Sequence, residues 1–529
     1  MNDNSNATAS MDAIASLLDS GVDVCFTNPG TSEMHMVQAI DRTDGMRAIL
    51  GLFEGVVTGA ADGYGRMAGK AAATLLHLGP GFANGGANLH NARRAGSPVL
   101  NIIGDHATYH HGFDAPLESD IAGIAGPVSD WVGQVEADQD FATCAMIALS
   151  KTQAATGKVA SLIVPADRAW CPGKGKARLP EREAIPTARE DQLAAAHTAL
   201  TSGEKAVLLL SPTCLDEETL DIAGRIAGAT GCILASPTFA GRRQRGRGRV
   251  RAERLPYFGD LVLGRLRDVK HLVLAGSRAP VSFFAYEGMP SRLVPEGCAL
   301  VDLADETQNA RAAIHALAES LGCMQAEVAG RVNGTLPPMP QDGKLDGLAI
   351  GAALANLMPE GAIISDESNT NGIAMRELTV NAAPHDWLDL TGGSIGQGLP
   401  VATGAAVACP DRKVIALQSD GSAMYTIQAL WTMARENLDV TTIILSNKSY
   451  AILNVEYARL GLATDKGDKA VNMMSLDNPA IDFASLARGM GVDAISTDNT
   501  AEFVAALKSA MSRKGPFLID ARIELFMAF

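Results

Sequence analysis

No Cys-x-x-Cys pair occurs in this 529-residue chain. Its eight cysteines, at 25, 144, 171, 214, 232, 298, 323 and 409, are scattered. Such scatter argues against a zinc ribbon or a disulfide framework and reads as buried thiols in a reducing, cytoplasmic setting. No apolar run approaches the ~18 residues that a membrane helix needs. The opening "MNDNSNATASMDAIASLL" lacks a basic segment followed by an apolar one. It reads as a short polar tail leading into a helix, not as a secretory signal. Positive charge is also short: 44 Lys and Arg stand against 59 Asp and Glu, a net −15, with a sequence pI of about 5.2. That balance disfavours a nucleic-acid or acidic-membrane partner. Nor does a Gly-x-Gly-x-x-Gly follow a strand with an acidic residue about 20 positions on, which leaves a nicotinamide-dependent dehydrogenase poorly supported.

What the chain does have is 47% hydrophobic residues, 53 glycines and only 5% aromatics. Short apolar runs alternate with helical patterns from end to end, the signature of parallel sheets covered by helices. One set is "VDVCFTNPG", "AAATLLHLGPG", "SPVLNIIGD" and "VASLIVPAD"; a second is "KAVLLLSP", "GCILASPT", "VKHLVLAGS" and "CALVDLAD". A third is "GAIISDESN", "RKVIALQSDGS", "TTIILSNKS" and "GPFLIDARI". The stretches 171–190 and 332–344, rich in Pro, Gly and charge, read as linkers. We therefore expect three doubly wound α/β domains, at 1–180, 190–331 and 345–529.

The stretch "VIALQSDGSAMYTIQALW" carries the first chemistry. In an open α/β sheet, ligands collect at the carboxyl ends of strands. Gly421 permits close backbone approach, and the following helix start offers free N–H groups to phosphate oxygens. Asp420 sits at the same end, and a carboxylate beside a phosphate needs a cation between them. Magnesium takes one or two carboxylates together with substrate phosphates. Asn447, 27 residues on at the end of the next strand, can add a side-chain oxygen, and Ser449 a backbone carbonyl. The bland alternative is an ordinary strand–turn–helix with a capping Asp.

This pattern resembles the diphosphate motif of thiamine-diphosphate enzymes, usually Gly-Asp-Gly with Asn 25–30 residues later; Ser419 replaces the first glycine here. The resemblance covers nearly the whole chain and is nearest the benzoylformate decarboxylase and acetolactate synthase branch. "LGLFEGVVTGAADGYGRMAGK" is similar to the helix that carries the family's catalytic glutamate, which falls on Glu54. "FTNPGTSEM" is similar to the loop near the cofactor, giving Asn28, Pro29 and Gly30. "GGSIGQGLPVATGAA" is similar to the loop that props the two cofactor rings, with Gly393 and with Ile395 in the supporting position. "SDESN" corresponds to the loop touching the diphosphate, giving Ser368 and Asn369; Gly421, Ser422 and Tyr450 complete the cofactor set. Asp420, Asn447 and Ser449 are the implied metal ligands.

The resemblance implies a thiamine-diphosphate and Mg²⁺ enzyme that decarboxylates a 2-oxo acid through a carbanion and enamine on the cofactor. Glu54 would share a proton with the far nitrogen of the aminopyrimidine, aided by the apolar setting of "LGLFEGVV", which also argues for its burial. His77 matches an active-site histidine of benzoylformate decarboxylases; a satisfied core histidine is the alternative. His110 and His111 resemble the His-His pair of pyruvate decarboxylases, with different spacing, and read equally as a solvated loop. Two departures stand out. "APVSFFAYEG" has no histidine where benzoylformate decarboxylases carry a second one, Ala285 falling near that point. Leu453 stands where pyruvate decarboxylases carry an acid. Both keep acetolactate-synthase-type carboligation open, although no flavin-binding pattern is recognisable in 190–330. A catalytically silent binding or regulatory homologue is a further reading, opposed by the joint presence of Glu54, Asp420 and Asn447.

The run "GRRQRGRGRVRAER" (241–254) holds seven arginines. It reads as a clamp for an anionic group, such as the diphosphate of a nucleotide or coenzyme A, or, as such runs more commonly are, as a solvated loop. The family's arrangement implies a homodimer at least, and a homotetramer beyond it, because Glu54 and Asp420 serve opposite ends of one cofactor.

Overall fold

The computed structural model describes residues 7–463 and 466–524; the polar tail expected at the N-terminus begins outside them. Three sheets organise the chain. The first contains β1 (Val24–Asn28), β2 (Arg47–Leu50), β3 (Ala72–His77), β4 (Val99–Asp105), β5 (Trp131–Gln134) and β6 (Val159–Pro165). All its pairings are parallel, in the order β2-β1-β3-β4-β6-β5. The central strands β4 and β6 are buried along their whole length, as strands covered by helices on both faces must be, and hence read as continuous apolar runs.

The middle segment supplies β7 (Ala206–Leu210), β8 (Ile233–Ser236), β9 (Arg243–Arg245), β10 (Glu253–Arg254), β11 (His271–Ala275) and β12 (Ala299–Ala304). Five of these form a parallel sheet in the order β10-β8-β7-β11-β12. The third sheet uses β13 (Ile363–Glu367), β14 (His385–Asp389), β15 (Val414–Ser419), β16 (Val440–Ser446), β17 (Asp493–Thr497) and β18 (Phe517–Arg522). Its order is β17-β18-β16-β15-β13-β14-β9. No helix or strand falls within 172–189 or 332–344, where linkers were expected. Among the described residues no helix is long and apolar enough to cross a membrane.

The arginine run is not the solvated loop that its composition suggested. β9 leaves the middle segment and adds an antiparallel edge strand to β14, pairing His385 with Arg245 and Trp387 with Arg243. Arg243 is buried and bonds Asp389 at 3.0 Å, while Arg242 bonds Asp386 at 2.7 Å. Burial alone would raise the Asp389 carboxyl, but Arg376 and Arg243 hold it well below the usual carboxylate range. Arg242 and Arg243 are directed inward because β14 presents two buried aspartates to them, whereas Arg247 and Arg251 remain exposed.

Two helices set the spacing between the first and third sheets. Glu54–Ala68 crosses Gly398–Ala408 with backbone nearly on backbone: a Cβ at Gly63 would lie 2.7 Å from Val401 Cα, and one at Gly404 2.7 Å from Tyr64 N. Only glycine fits at these two crossing points.

Candidate active site

Both outer sheets reverse strand order next to their first strand, and the candidate residues gather at those points. In the first sheet β2 and β3 flank β1; in the third, β14 and β15 flank β13. The carboxyl ends on either side of such a switch point form the crevice in which open α/β sheets hold ligands.

In the first crevice, Asn28 ends β1 and its Nδ2 donates to the Gly51 carbonyl at 2.8 Å. Pro29 leads to Gly30, whose N–H donates to Glu33 Oε2 at 2.7 Å. A side chain at Gly30 would run into the His77 ring, so the glycine admits the imidazole. Glu33 is fully buried and lies 2.8 Å from His77 Nδ1, with Ser32 Oγ 2.5 Å from its other oxygen. A carboxylate there places the proton on Nδ1 and leaves Nε2 to serve the opening. The sequence reading missed Glu33; its place three residues after Gly30, where a carboxylate can close back on the turn, was the available signal.

Glu54 opens its helix and is half-buried, not buried as expected. Its helix-start position leaves it less covered than the residues that follow it, Gly55 to Met67, which are buried. Asn84 Nδ2 donates to Glu54 Oε2 at 3.0 Å. A Cβ at Gly81 would lie 3.2 Å from Glu54 Oε1 and 3.3 Å from His77 Cβ, so glutamate and histidine border the same gap.

His110 and His111 lie on the loop after β4. His110 is exposed and stacks on Phe113 with ring centroids 6.0 Å apart. His111 bonds Glu118 at 2.7 Å and approaches Asp105 at 3.3 Å. The Glu118 hydrogen bond raises the His111 pKa above its ordinary value. The loop is thus an ion-paired cover, and Ser119 packs on Gly79 beside His77.

In the second crevice, Asp420 follows β15 at the start of a four-residue turn of helix and is buried. Its Oδ1 accepts the Gly421 N–H at 2.9 Å and its Oδ2 the Lys448 N–H at 2.6 Å. Burial pushes its pKa up to about 6. Asn447 Oδ1 accepts the Ser449 N–H at 2.9 Å, so the 447–449 turn closes directly over Asp420. Among the described residues no group of three or more His, Cys, Asp or Glu gathers as a metal set. The Asp420 donors are one carboxylate with amide and backbone oxygens nearby, a set of the hard-cation type. A dehydrated carboxylate held by backbone N–H groups would be stabilised by such an ion.

Gly421 does not lie open to a ligand on its Cα side, as the sequence suggested: a Cβ there would sit 2.5 Å from the Tyr450 ring. The glycine admits the tyrosine instead. Ser422 Oγ is engaged internally, accepting from Gln418 Nε2 at 2.7 Å and donating to the Ser419 carbonyl at 3.1 Å. Ser368 Oγ donates to Asp366 at 2.5 Å, and Asn369, at φ 49°, reaches Ser419 Oγ at 3.3 Å.

Ile395 is half-buried on the 391–396 loop, between Gly393 (φ 76°) and Gly396 (φ 96°). First-domain amides grip this loop. Asn91 Nδ2 donates to the Ser394 carbonyl at 2.7 Å, and Asn88 Nδ2 to those of Gly55 and Gly396 at 2.8 and 3.1 Å. Below it, buried Glu367 accepts the N–H groups of Gly396 and Gly398, both at 2.7 Å, and Gln418 Nε2 at 2.8 Å. Burial pushes Glu367 up to about 7 against the pull of these donors. One carboxyl therefore links the Ile395 loop with the strand leading to Asp420, a role hidden within "SDESN". From the middle segment, the Phe283 ring abuts Gly393. The stretch without a histidine thus brings an aromatic face to this loop.

Comparison with known proteins shows which family the chain is similar to. Residues 8–124 match the model of the N-terminal TPP binding domain of thiamine pyrophosphate enzymes, and residues 368–521 that of the C-terminal TPP binding domain. IlvX of Mycobacterium tuberculosis, provisionally named an acetolactate synthase large subunit, is 49% identical over 96% of this chain and 97% of its own length. The benzoylformate decarboxylase of Pseudomonas aeruginosa is 28% identical over 94% of this chain and 96% of its own. The structure of the thiamine diphosphate-dependent 4-hydroxybenzoylformate decarboxylase of Rhodococcus jostii RHA1 superposes with a TM-score of 0.87 at 25% identity, covering 99% of this chain and all of that one. The crevices at the ends of β1–β3 and of β13–β15 thus lie within two thiamine-pyrophosphate-binding domains, and the chain belongs to the thiamine pyrophosphate enzyme family.

Proposed function

We propose that the chain decarboxylates a 2-oxo acid, with thiamine diphosphate and Mg²⁺ bound between the first domain of one subunit and the third domain of another. When bound, the cofactor supplies the nucleophilic carbon and the electron sink. The observation that carries the reading is the shared gap bounded by Glu54 and the Glu33-backed His77. Glu54 Oε1 is the atom free to hold a proton on a cofactor nitrogen, while Asn84 occupies Oε2. His77 Nε2 would give or take the proton at the substrate, its ring oriented by Glu33. Asp420, Asn447 and Ser449 would hold the magnesium and, through it, the diphosphate, and Ile395 would keep the two rings folded. Assembly as a homodimer or higher is supported by apolar side chains left open beside both crevices, including Leu52, Met424 and Tyr425, at 47%, 40% and 53% exposure. We place this activity in the cytoplasm.

A second reading, acetolactate-synthase-type joining to a second 2-oxo acid, is favoured by Phe283 at Gly393 and by Leu453, 45% exposed. Neither side chain can deliver the proton that releases an aldehyde. The test supplies thiamine diphosphate and Mg²⁺, then measures carbon dioxide from pyruvate, benzoylformate, branched 2-oxo acids and oxalyl-CoA, with products identified. Aldehyde products favour the first reading and acyloins the second. Cofactor-loaded protein that releases carbon dioxide from none of them overturns both.

A further inference from the structure

The seam between the middle segment and the third sheet holds a partly open cavity of about 50 Å³, lined by Arg243, Arg245, Arg249, Arg251, Arg254 and Arg376, and by the acidic Glu377. On a scale where one water needs ~10–15 Å³, it takes a few waters or one small ion. The charges around it do not balance. Arg243 and Arg376 pair with Asp389, Arg376 also with Asp366, Arg249 with Glu217 and Arg251 with Glu377. Among the described residues, Arg245 and Arg254 have no carboxylate within ion-pair distance. Arg245 donates to the Arg376 carbonyl at 2.5 Å and lies 4.8 Å over the Trp387 ring. Arg254 donates to the Thr238 carbonyl and lies 5.3 Å from the Phe239 ring. Burial, and then the charge of Arg376, push each of these guanidinium groups down to about 9.

Hydrogen bonding is incomplete as well. Arg243 Nε and Arg376 Nη1 are buried without a partner, on residues only 7% and 8% exposed. Buried charges are ordinarily paired, and buried donors satisfied. The planar guanidinium fork is the donor that best fits a tetrahedral oxyanion.

We propose that this cavity is a binding site for a small tetrahedral oxyanion of the phosphate class. The volume fits the anionic group itself, so the clamp considered for 241–254 narrows from a nucleotide to a phosphate. The site also has a route to the cofactor crevice. Arg376 bonds Asp366 at 2.7 Å, and the other oxygen of Asp366 accepts the Ser368 N–H and Oγ–H. An anion that settles Arg376 therefore steadies both the β9–β14 seam and the loop at Ser368–Asn369.

The test is thermal unfolding of the full chain in inorganic phosphate against chloride at equal ionic strength, with titration calorimetry alongside. Specific binding gives a saturable rise in Tm of at least about 2 °C, since a ligand of the folded state stabilises it by mass action. Arg245→Gln and Arg254→Gln should each remove this response, yet be at least as stable as wild type without phosphate, because a half-buried guanidinium with no carboxylate partner has gone. Glycerol phosphate distinguishes the source: an equal or larger response marks the terminal phosphate of a larger ligand, and no response marks the free ion, both supporting the site. The proposal is overturned if phosphate acts no more strongly than chloride, or if R245Q/R254Q keeps the full response. Should these variants not fold, selenate soaked into wild-type crystals decides, with anomalous density in the cavity expected and its absence fatal.

Discussion

A single methyl group at Gly404 tests how the two crevices are held in register. Gly404 lies inside the Gly398–Ala408 helix where it crosses the Glu54 helix. The added carbon would lie 2.7 Å from Tyr64 N and from the Ala60 carbonyl carbon, and closer still to the Ala60 oxygen. Ordinary contact begins near 3.4 Å and the Ala60 oxygen would lie at 1.8 Å, so the helices must part by about 1.6 Å to restore it. Two effects compete in Gly404→Ala. Helix propensity favours alanine by about 1 kcal/mol, whereas overpacking typically costs about 1–3 kcal/mol. Here the obstacle is backbone, which cannot rotate away as a side chain can, so the upper end applies and destabilisation wins by about 1–2 kcal/mol. Because the same helix begins two residues after Gly396, the Ile395 loop moves with it, and a misplacement near 1 Å can cost about 10²-fold in rate. We expect a Tm lower by a few degrees and turnover down about 10–100-fold. Gly264→Ala is the control: Gly264 is exposed within a helix and has nothing within 4 Å of a new Cβ, so it should gain stability. If Gly404→Ala is as stable, and binds thiamine diphosphate and turns over as well as wild type, close helix contact does not set the site.

Asp420→Ala should weaken thiamine diphosphate binding in Mg²⁺ by at least ~100-fold, and unchanged affinity by calorimetry would remove the metal assignment. Glu54→Gln should bind the cofactor but exchange its C2 proton far more slowly, checked by quenched-flow NMR. Mixing inactive Glu54→Gln and Asp420→Ala chains should restore activity, because wild-type Glu54 of one chain meets wild-type Asp420 of the other. Confirmed subunit exchange without recovered activity places both residues in a same-chain site. Glu367 gives a pH test: its folded pKa of about 7 exceeds the ordinary 4.5, so the folded state keeps its proton longer. Its contribution to stability is highest below 4.5, falls as pH rises to about 7 by up to roughly 3 kcal/mol, and is level above. Glu367→Gln should flatten that window in unfolding midpoints measured against pH.

What the sequence alone determined is local. Asp420 and the strand–turn–helix around it lie within one βα unit, and Asn447 ends the adjacent strand, so periodicity and turn chemistry sufficed to bring them together. That Glu54 lies on a helix came from the family resemblance, and its place at the helix start came from the structure. Only the tertiary structure decided which distant groups meet. Glu33 and His77 are 44 residues apart, Glu367 reaches Gly396–Gly398 across 29 to 31, and Arg243 finds Asp389 across 146. A charge run carries no mark of whether aspartates wait across a domain seam, so 241–254 looked solvated until β9 paired with β14. Glycine is ambiguous in the same way. Gly421 could as well have admitted a ligand as the ring of Tyr450, since the space beside a Cα is set by packing partners remote in sequence.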